Sequence, residues 1–188
     1  TGVIVMTRGI PVAGTVIDPA GRPVTEALVV WGDDPYLMDG SQEVRTSGKG
    51  VYRLPSLPPT SVTVTVIAEG FAPQMKTIEI NEENAPVDFQ LEAGKALRLR
   101  FVDEAGEPVP EVSVGIAEWR GKKSLYNRKH PNVLDTRIPI EANHDGVYEW
   151  TWAPDDQVTY SFYKDGYRPI RDVPLVADNQ EHEITLQK

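Results

Sequence analysis

A turn motif that occurs twice constrains this chain more than any other feature. Residues 14–31 read GTVIDPAGRPVTEALVVW, and residues 97–114 read LRLRFVDEAGEPVPEVSV. In each copy a run of alternating residues leads to an Asp, a Gly three positions later and a Pro two positions after that. Period-two alternation is typical of a strand, while an Asp followed by a Gly satisfies backbone donors and permits the positive φ of a tight turn. Each copy therefore predicts a strand, a turn and a second strand.

The two copies belong to a repeat that covers most of the chain. A spacing of 85 residues aligns Asp18 with Asp103, and a spacing of 96 aligns Tyr52 with Tyr148. A chain of 188 residues suits two domains, each of roughly 90 residues. The 15 glycines and 16 prolines supply frequent turn signals, and no long window keeps apolar residues at helical spacing. These patterns predict an all-β fold with almost no helix, divided into domains 1–93 and 94–188.

The repeat also gives a meaning to the first eight residues. The spacing of 85 aligns Ile4 with Phe89 and Met6 with Leu91, in the last predicted strand of the first copy. We therefore expect residues 3–6 to be the last strand of a preceding repeat; the alternative is an extra edge strand of this domain. The chain begins without an initiator Met and without a signal-peptide pattern, so we expect a fragment of a longer protein.

The second copy contains a basic insertion. The difference between the two spacings places 11 extra residues within about positions 120–143. The segment 120–137 has six cations and one acid, although the whole chain has a net charge of −9. This loop suits an acidic partner, an anionic polymer or the acidic face of the neighbouring repeat, and a merely solvated loop is the alternative. The insertion residues singled out for interaction are Arg120, Lys122, Lys123, Tyr126, Arg128, Lys129 and His130.

A row of aromatic residues precedes the end of the same copy. Tyr148, Trp150 and Trp152 lie two residues apart, so a strand places all three on one face. The repeat aligns the first two with core positions of the first copy, and we expect them to be buried. Trp152 aligns with Ser56 and is the one expected to be exposed. Trp152 and Trp119, together with the basic loop, would form a surface on which sugar rings stack.

These positions together resemble the carboxypeptidase regulatory-like domains. The shared pattern is G-x-V-x-D-x-x-G-x-P-V-x-x-A-x-V, followed by G-x-Y-x-L-x-x-L-P and G-F/Y-x-P. The first copy carries it through Gly14, Val16, Asp18, Gly21, Pro23, Val24, Ala27, Val29, Gly50, Tyr52, Leu54, Leu57, Pro58, Gly70 and Phe71. The second copy departs from it at Leu99, Val112, Trp150 and Ala153. The resemblance implies two tandem seven-stranded Greek-key β-sandwiches, related in shape to transthyretin.

The residues do not form a recognisable catalytic or cofactor motif. None of the three histidines begins an HxxE or HExxH sequence, so a zinc peptidase site is not expected. The iron site of the intradiol dioxygenases, which use a similar sandwich, needs paired histidines that the sequence lacks. Asp33, Asp34, Asp39 and Glu43 crowd one loop without EF-hand spacing, and a solvated acidic loop is expected there. The sequence therefore predicts no enzyme, no cofactor and no metal site.

These inferences favour a noncatalytic spacer or protein-interaction module of a larger bacterial protein. Its expected partners are the rest of its own polypeptide and another protein or a polysaccharide, with carbohydrate or anionic-polymer binding as the alternative function. The net charge of −9 argues against nucleic acid, and no apolar run is long enough to span a membrane. The absence of cysteine leaves the compartment open. We expect an exported protein, with a cytoplasmic one as the alternative if the module is attached to a regulatory protein.

Overall fold

The computed structural model describes residues 9–34, 42–81, 85–125 and 138–188. Regular structure in these ranges consists of strands, with no helix among them, which confirms the predicted all-β class. The strand predicted at residues 3–6 lies outside the described residues. The strands are β1 (Ile10–Ile17), β2 (Leu28–Trp31), β3 (Glu43–Arg45), β4 (Val51–Leu57), β5 (Ser61–Ala68), β6 (Phe71–Glu79), β7 (Phe89–Gln90), β8 (Lys95–Val102), β9 (Ser113–Trp119), β10 (Val147–Ala153), β11 (Gln157–Tyr163), β12 (Ile170–Val176) and β13 (Glu181–Thr185).

The first half of the chain, up to residue 93, forms two sheets that face each other across an apolar core. One sheet has the order β4-β1-β7, and the other has the order β3-β2-β5-β6. The core draws Val16 and Tyr52 from the first sheet and Val29 and Val66 from the second. Because successive side chains of a strand point to opposite faces, alternate residues of β1 and β4 enter this core while their neighbours face outward. This half is a β-sandwich.

The second half, residues 94–188, repeats this arrangement with one strand fewer in the described residues. Its sheets have the orders β10-β8-β13 and β12-β11-β9. The stretch that corresponds to β3 is reduced to an isolated bridge between Ser113 and Glu141. The Ala142 N–H donates to the Val112 carbonyl at 2.9 Å, as a short strand would, but the pairing does not extend into a ladder. The described residues of this half therefore contain six strands, with this bridge in the place of the seventh that the resemblance implies.

The turn motif has the same hydrogen bonds in both halves. The Asp18 carboxylate accepts from the N–H groups of Ala20 and Arg22, both at 2.9 Å. The Asp103 carboxylate accepts from the corresponding groups two and four residues later, at 2.9 and 3.0 Å. Gly21 has a φ of 78°, and the glycine after Asp103 has a φ of 84°. The Asp and Gly of the motif thus serve the turn, as their spacing predicts.

The second half covers the outer face of the sheet β3-β2-β5-β6. Leu28, Val30 and Ile67 point away from the core of the first half and belong to the apolar cluster of the second half. On the same face, Thr63 and Thr65 are 2% and 0% exposed, although an outer face of a single sandwich would be wet. Strand β5 is therefore buried on both faces, and the two halves share one continuous apolar cluster.

Candidate functional site

The start of the basic insertion lies against the first half of the chain. Two acids, Asp33 and Asp34, follow β2, and two cations, Lys122 and Lys123, follow β9. We call these four residues the junction cluster. Within the described residues, Lys122 and Lys123, both predicted interaction residues, form ion pairs in this cluster with acids of the other half.

A tight hairpin presents the two lysines. The N–H of Trp119 donates to the Lys122 carbonyl at 2.8 Å, and the Lys122 N–H donates back at 2.9 Å. The two residues between them, Arg120 and Gly121, have φ values of 52° and 73°. Positive φ at both central positions is the signature of a type I′ turn, whose twist matches that of paired strands. Gly fits the second position without cost, whereas the strained Arg120 is held there by its own contacts.

Backbone and side-chain bonds together fix the junction cluster. The Lys122 Nζ lies 2.6 Å from Asp33 Oδ2, and the Lys123 Nζ lies 3.0 Å from Asp34 Oδ2. The Lys123 N–H also donates to the Asp33 carbonyl at 2.8 Å. The Lys122 side chain is 29% exposed and that of Asp33 is 65% exposed, so water screens the ion pair and it contributes only about 0.2–1 kcal/mol. The cluster therefore fixes orientation more than it adds stability.

The acid at the centre of the cluster is held in its charged form. Hydrogen bonds from the Lys122 ammonium, and then from the Thr63 hydroxyl, lower the pKa of Asp33, and burial opposes them in part. The Thr63 hydroxyl donates to Asp33 Oδ1 at 2.9 Å. Since Thr63 lies on the covered face of β5, this bond connects the charged cluster to the apolar part of the junction. Asp33 thus belongs to a structured contact, and the expectation of a merely solvated acidic loop is wrong for it and for Asp34.

Trp119 and Arg120 are occupied within the second half. Trp119 is 1% exposed, and its indole Nε1 donates to Asp156 Oδ1 at 2.8 Å. The Arg120 guanidinium lies over the same indole ring, 4.6 Å from its centroid, and its Nε donates to Asp156 Oδ2 at 2.5 Å. Asp156 stands in the turn between β10 and β11, so these bonds tie two turns together. The Trp119 ring therefore offers no free face for stacking on a ligand.

The expectation that Trp152 is exposed is wrong, because its side chain is 5% exposed. The alternation that buries Tyr148 and Trp150, as predicted, continues for one more step along β10. The Trp152 ring meets the Trp150 ring edge to face, with centroids 5.3 Å apart. Gly94 packs so closely on the Trp152 backbone that an added Cβ would lie 2.3 Å from it. In the first half the burial alternation breaks at Ser56, which the repeat could not indicate.

Four of the predicted interaction residues lie outside the described residues: Tyr126, Arg128, Lys129 and His130. Their role in binding stays a prediction. The residues that sequence reasoning did not assign to an interaction are Asp33, Asp34 and Asp156. The sequence does contain a signal for the first two. The acidic pair Asp33-Asp34 follows one strand, and the basic pair Lys122-Lys123 follows the strand that the repeat aligns with it.

The residues of the junction cluster form ion pairs and a backbone hydrogen bond between the two halves. Among residues 9–34, 42–81, 85–125 and 138–188, no group of three or more His, Cys, Asp or Glu side chains is arranged to hold a metal ion. The same four ranges contain no helix of the length and apolar character needed to cross a membrane. A cleft of about 250 Å³ is lined by residues of both halves, among them Met75, Glu92 and Arg120.

Residues 11–92 match the family described as the carboxypeptidase regulatory-like domain, which confirms the predicted resemblance for the first half. A curated relative, the TonB-dependent transporter Oar of Myxococcus xanthus, is 32% identical over 104 residues. That match covers 55% of this chain and 10% of the transporter, so the chain spans a small part of this relative.

Two solved structures have likenesses that extend over nearly the whole chain. The Bacillus anthracis TIE protein has a TM-score of 0.39 and 19% identity, covering 96% of this chain and 34% of that one. A streptococcal ancillary pilin has a TM-score of 0.42 and 11% identity, covering 95% of this chain and 62% of that one.

Proposed function

We propose that the chain is a pair of carboxypeptidase regulatory-like β-sandwich domains that serves as a rigid, noncatalytic spacer or protein-interaction part of a larger bacterial protein. The family match at residues 11–92 supports this for the first half. The recurrence of the Asp18 turn bonds at Asp103 supports extending it to the second half. We place the boundary between the two domains at residues 93 and 94.

The observation that carries the proposal is the apolar cluster shared by the two halves. Leu28, Val30 and Ile67 are each at most 2% exposed and belong to the cluster of the second half. Burying an aliphatic side chain of this size stabilises a structure by about 1.5–3 kcal/mol. Three of them therefore hold the halves together by several kcal/mol, which is more than a flexible linker between independent domains would provide.

The junction cluster determines the relative orientation of the two halves, which the apolar contact alone does not. Hydrophobic contact is nearly non-directional, whereas the pairs Lys122 with Asp33 and Lys123 with Asp34 form only at one relative orientation. The Lys123 N–H bond to the Asp33 carbonyl imposes a still narrower geometry. A pair of sandwiches joined in this way keeps its ends at a fixed distance and angle, which is what a spacer requires.

The partner that this arrangement supports best is the rest of the same polypeptide. The relative Oar is named a TonB-dependent transporter, and the match covers 10% of it. This likeness supports an exported, envelope-associated location for the larger protein. The spacer would then hold neighbouring segments apart, and its outward loops would be available for contacts with other proteins.

Backbone ¹⁵N relaxation of the 188-residue chain tests the rigid pair. One rigid body gives amides of both halves the long rotational correlation time of the whole chain, whereas independent domains give each half a shorter time, close to that of a body of half the mass. Because Lys122 faces Asp33, the substitution Lys122→Glu places two like charges together and is expected to loosen the junction.

The matched control is Lys49→Glu, which makes the same charge change in the exposed turn before β4. It is expected to leave the correlation times of both halves at their values in the unsubstituted chain. Correlation times in the unsubstituted chain that match a body of half its mass would refute the proposal outright. Equal effects of the two substitutions would remove the junction cluster from it.

A further inference from the structure

The outer face of the sheet β12-β11-β9 corresponds to the face of the first half that the second half covers. The repeat spacings align Leu28 and Val30 with positions 113 and 115, and Ile67 with position 163. In the second half these positions hold Ser113, Gly115 and Tyr163, and all three line an open groove of about 270 Å³. The face that is buried in one half is therefore free in the other.

We propose that this outer face is a docking surface for a further β-sandwich domain of the same polypeptide, seated as the second half is seated on the first. The inference rests on the proposed function, since it extends the rigid pair by one domain. The occupant is defined by its chemistry: a sandwich that presents a basic hairpin at the end of the strand that corresponds to β9.

The polar part of the junction has its counterpart on this face. The spacings align Asp33 with Glu118 and Thr63 with Thr159. Glu118 and Thr159 are partners in the register of β9 and β11, so they lie side by side, and Glu118 is exposed. In the first half the corresponding acid receives the Lys122 ammonium at 2.6 Å. Glu118 is therefore placed to receive the lysine of a following domain.

The apolar part of the face is exposed instead of covered. In the described part of the chain the large hydrophobic side chains that are exposed are Tyr163, at 54%, and Val176, at 41%. Tyr163 continues the outward alternation of β11, and Val176 pairs with the exposed Gln157. Both thus stand on the outer face of this one sheet. They lie at opposite ends of β11, roughly 20 Å apart along the strand, so Tyr163 alone is the exposed apolar group beside the groove.

The residues of the outer face also indicate how strongly a further domain would bind to it. Ser113 and Gly115 replace Leu28 and Val30, so docking buries less apolar area than the existing junction does. A covalently attached domain faces the surface at an effective concentration in the millimolar range, which compensates for weak intrinsic affinity. We therefore expect docking of an attached domain and no association between separate copies of this chain at micromolar concentration.

A three-domain chain tests the proposal. Residues 94–188 are appended directly after Lys188, so that the new junction keeps the spacing of the existing one. This spacing is set by two equivalent bonds: the Leu91 N–H donates to the Ile17 carbonyl, and the Leu186 N–H donates to the Val102 carbonyl, both at 2.8 Å. The sequence contains no cysteine, so disulfide trapping has no background from native thiols.

Three cysteine pairs are compared under the same mild oxidation. The reference pair is Asp33→Cys with Lys123→Cys in the 188-residue chain, whose backbone hydrogen bond brings the positions within disulfide reach. The test pair is Glu118→Cys in the middle domain with Lys123→Cys in the appended one. The mismatched pair replaces Glu118→Cys by Glu104→Cys, in the exposed turn after β8. We expect the reference and test disulfides to form, each about 10-fold faster than the mismatched one, because docking raises the effective concentration of the thiols.

The outcomes separate this inference from the proposed function. A reference disulfide without a test disulfide overturns the docking surface and leaves the rigid pair intact. Failure of the reference disulfide overturns both. Small-angle X-ray scattering of the cysteine-free three-domain chain gives an independent measurement, since a docked third domain scatters as part of one rigid body. A scattering profile that requires a freely moving third domain would overturn the inference even if a trapped species were found.

Discussion

Two equivalent tyrosines provide a matched test of how buried hydroxyl groups contribute to this fold. Tyr52 and Tyr148 occupy the same position in the two halves and are 1% and 0% exposed. The Tyr52 hydroxyl donates to the Val87 carbonyl at 2.6 Å. The Tyr148 hydroxyl has no hydrogen-bond partner among the described residues. Burial raises the pKa of both phenols, so both hydroxyls are neutral at pH 7.

The substitution Tyr→Phe removes only the hydroxyl group and should act oppositely at the two positions. At Tyr52 it breaks a hydrogen bond and leaves the Val87 carbonyl without this donor, so we expect a loss of about 1–2 kcal/mol in the free energy of unfolding. At Tyr148 it removes a desolvated group that has no partner in the described structure, so we expect a change between zero and a gain of about 1 kcal/mol.

Urea unfolding followed by circular dichroism, together with thermal unfolding, measures the difference. For a chain of this size about 1 kcal/mol shifts the melting temperature by roughly 2–4 °C, so the two single variants should differ by several degrees. If Tyr148→Phe destabilises the protein as much as Tyr52→Phe does, the reasoning is refuted, because the Tyr148 hydroxyl must then have a partner of comparable strength.

Three further outcomes are expected. Thr65 is fully buried and its hydroxyl has no partner in the described ranges, so Thr65→Val should stabilise the chain by about 1 kcal/mol. Thr63→Val should instead destabilise the chain, because it removes the hydrogen bond to Asp33. Urea unfolding of the two variants measures the difference. Because the pKa of Asp33 is lowered from its ordinary value of 3.8, the charged Asp33 stabilises the fold fully above pH 3.8, and this stabilisation is lost as the pH falls through the folded-state pKa. In Asp33→Asn the free energy of unfolding should therefore depend less on pH below pH 3.8. Asp156→Ala should expose Trp119, which a red shift in tryptophan emission would reveal; an unchanged spectrum would contradict the role of that carboxylate.

The turns and the strand pattern could be predicted because their causes are local. The Asp18 carboxylate bonds to N–H groups two and four residues away, so the sequence around the turn contains every group that the turn requires. Strand alternation is local in the same sense, and it correctly assigned Tyr148 and Trp150 to the core. The two copies carry the same turn residues and the same alternation, so each copy predicts these features of the other.

The candidate site could be predicted only in part, because its partners are distant in the chain. The basic insertion and its acidic complement were both visible, and the acidic face of the neighbouring repeat was one of three partners considered for the loop. Lys122 and Asp33 are 89 residues apart, however, and no local pattern states which of the candidate partners a charged loop will meet. The wrong expectation for Trp152 had a different cause: the repeat aligned it with the exposed Ser56, where the alternation of β4 breaks, although the alternation of β10 itself buries Trp152.

The sequence by itself determined the all-β class, the position of the two Asp-Gly turns and the alternation that separates one face of each strand from the other. The tertiary structure alone decided what lies against the outer faces. Alternation places Thr63 and Thr65 on the outer face of β5, but both are buried, because the second half packs there. Period-two patterning records which way a side chain points and not whether a second sandwich stands beyond it, because that depends on how two folded bodies meet.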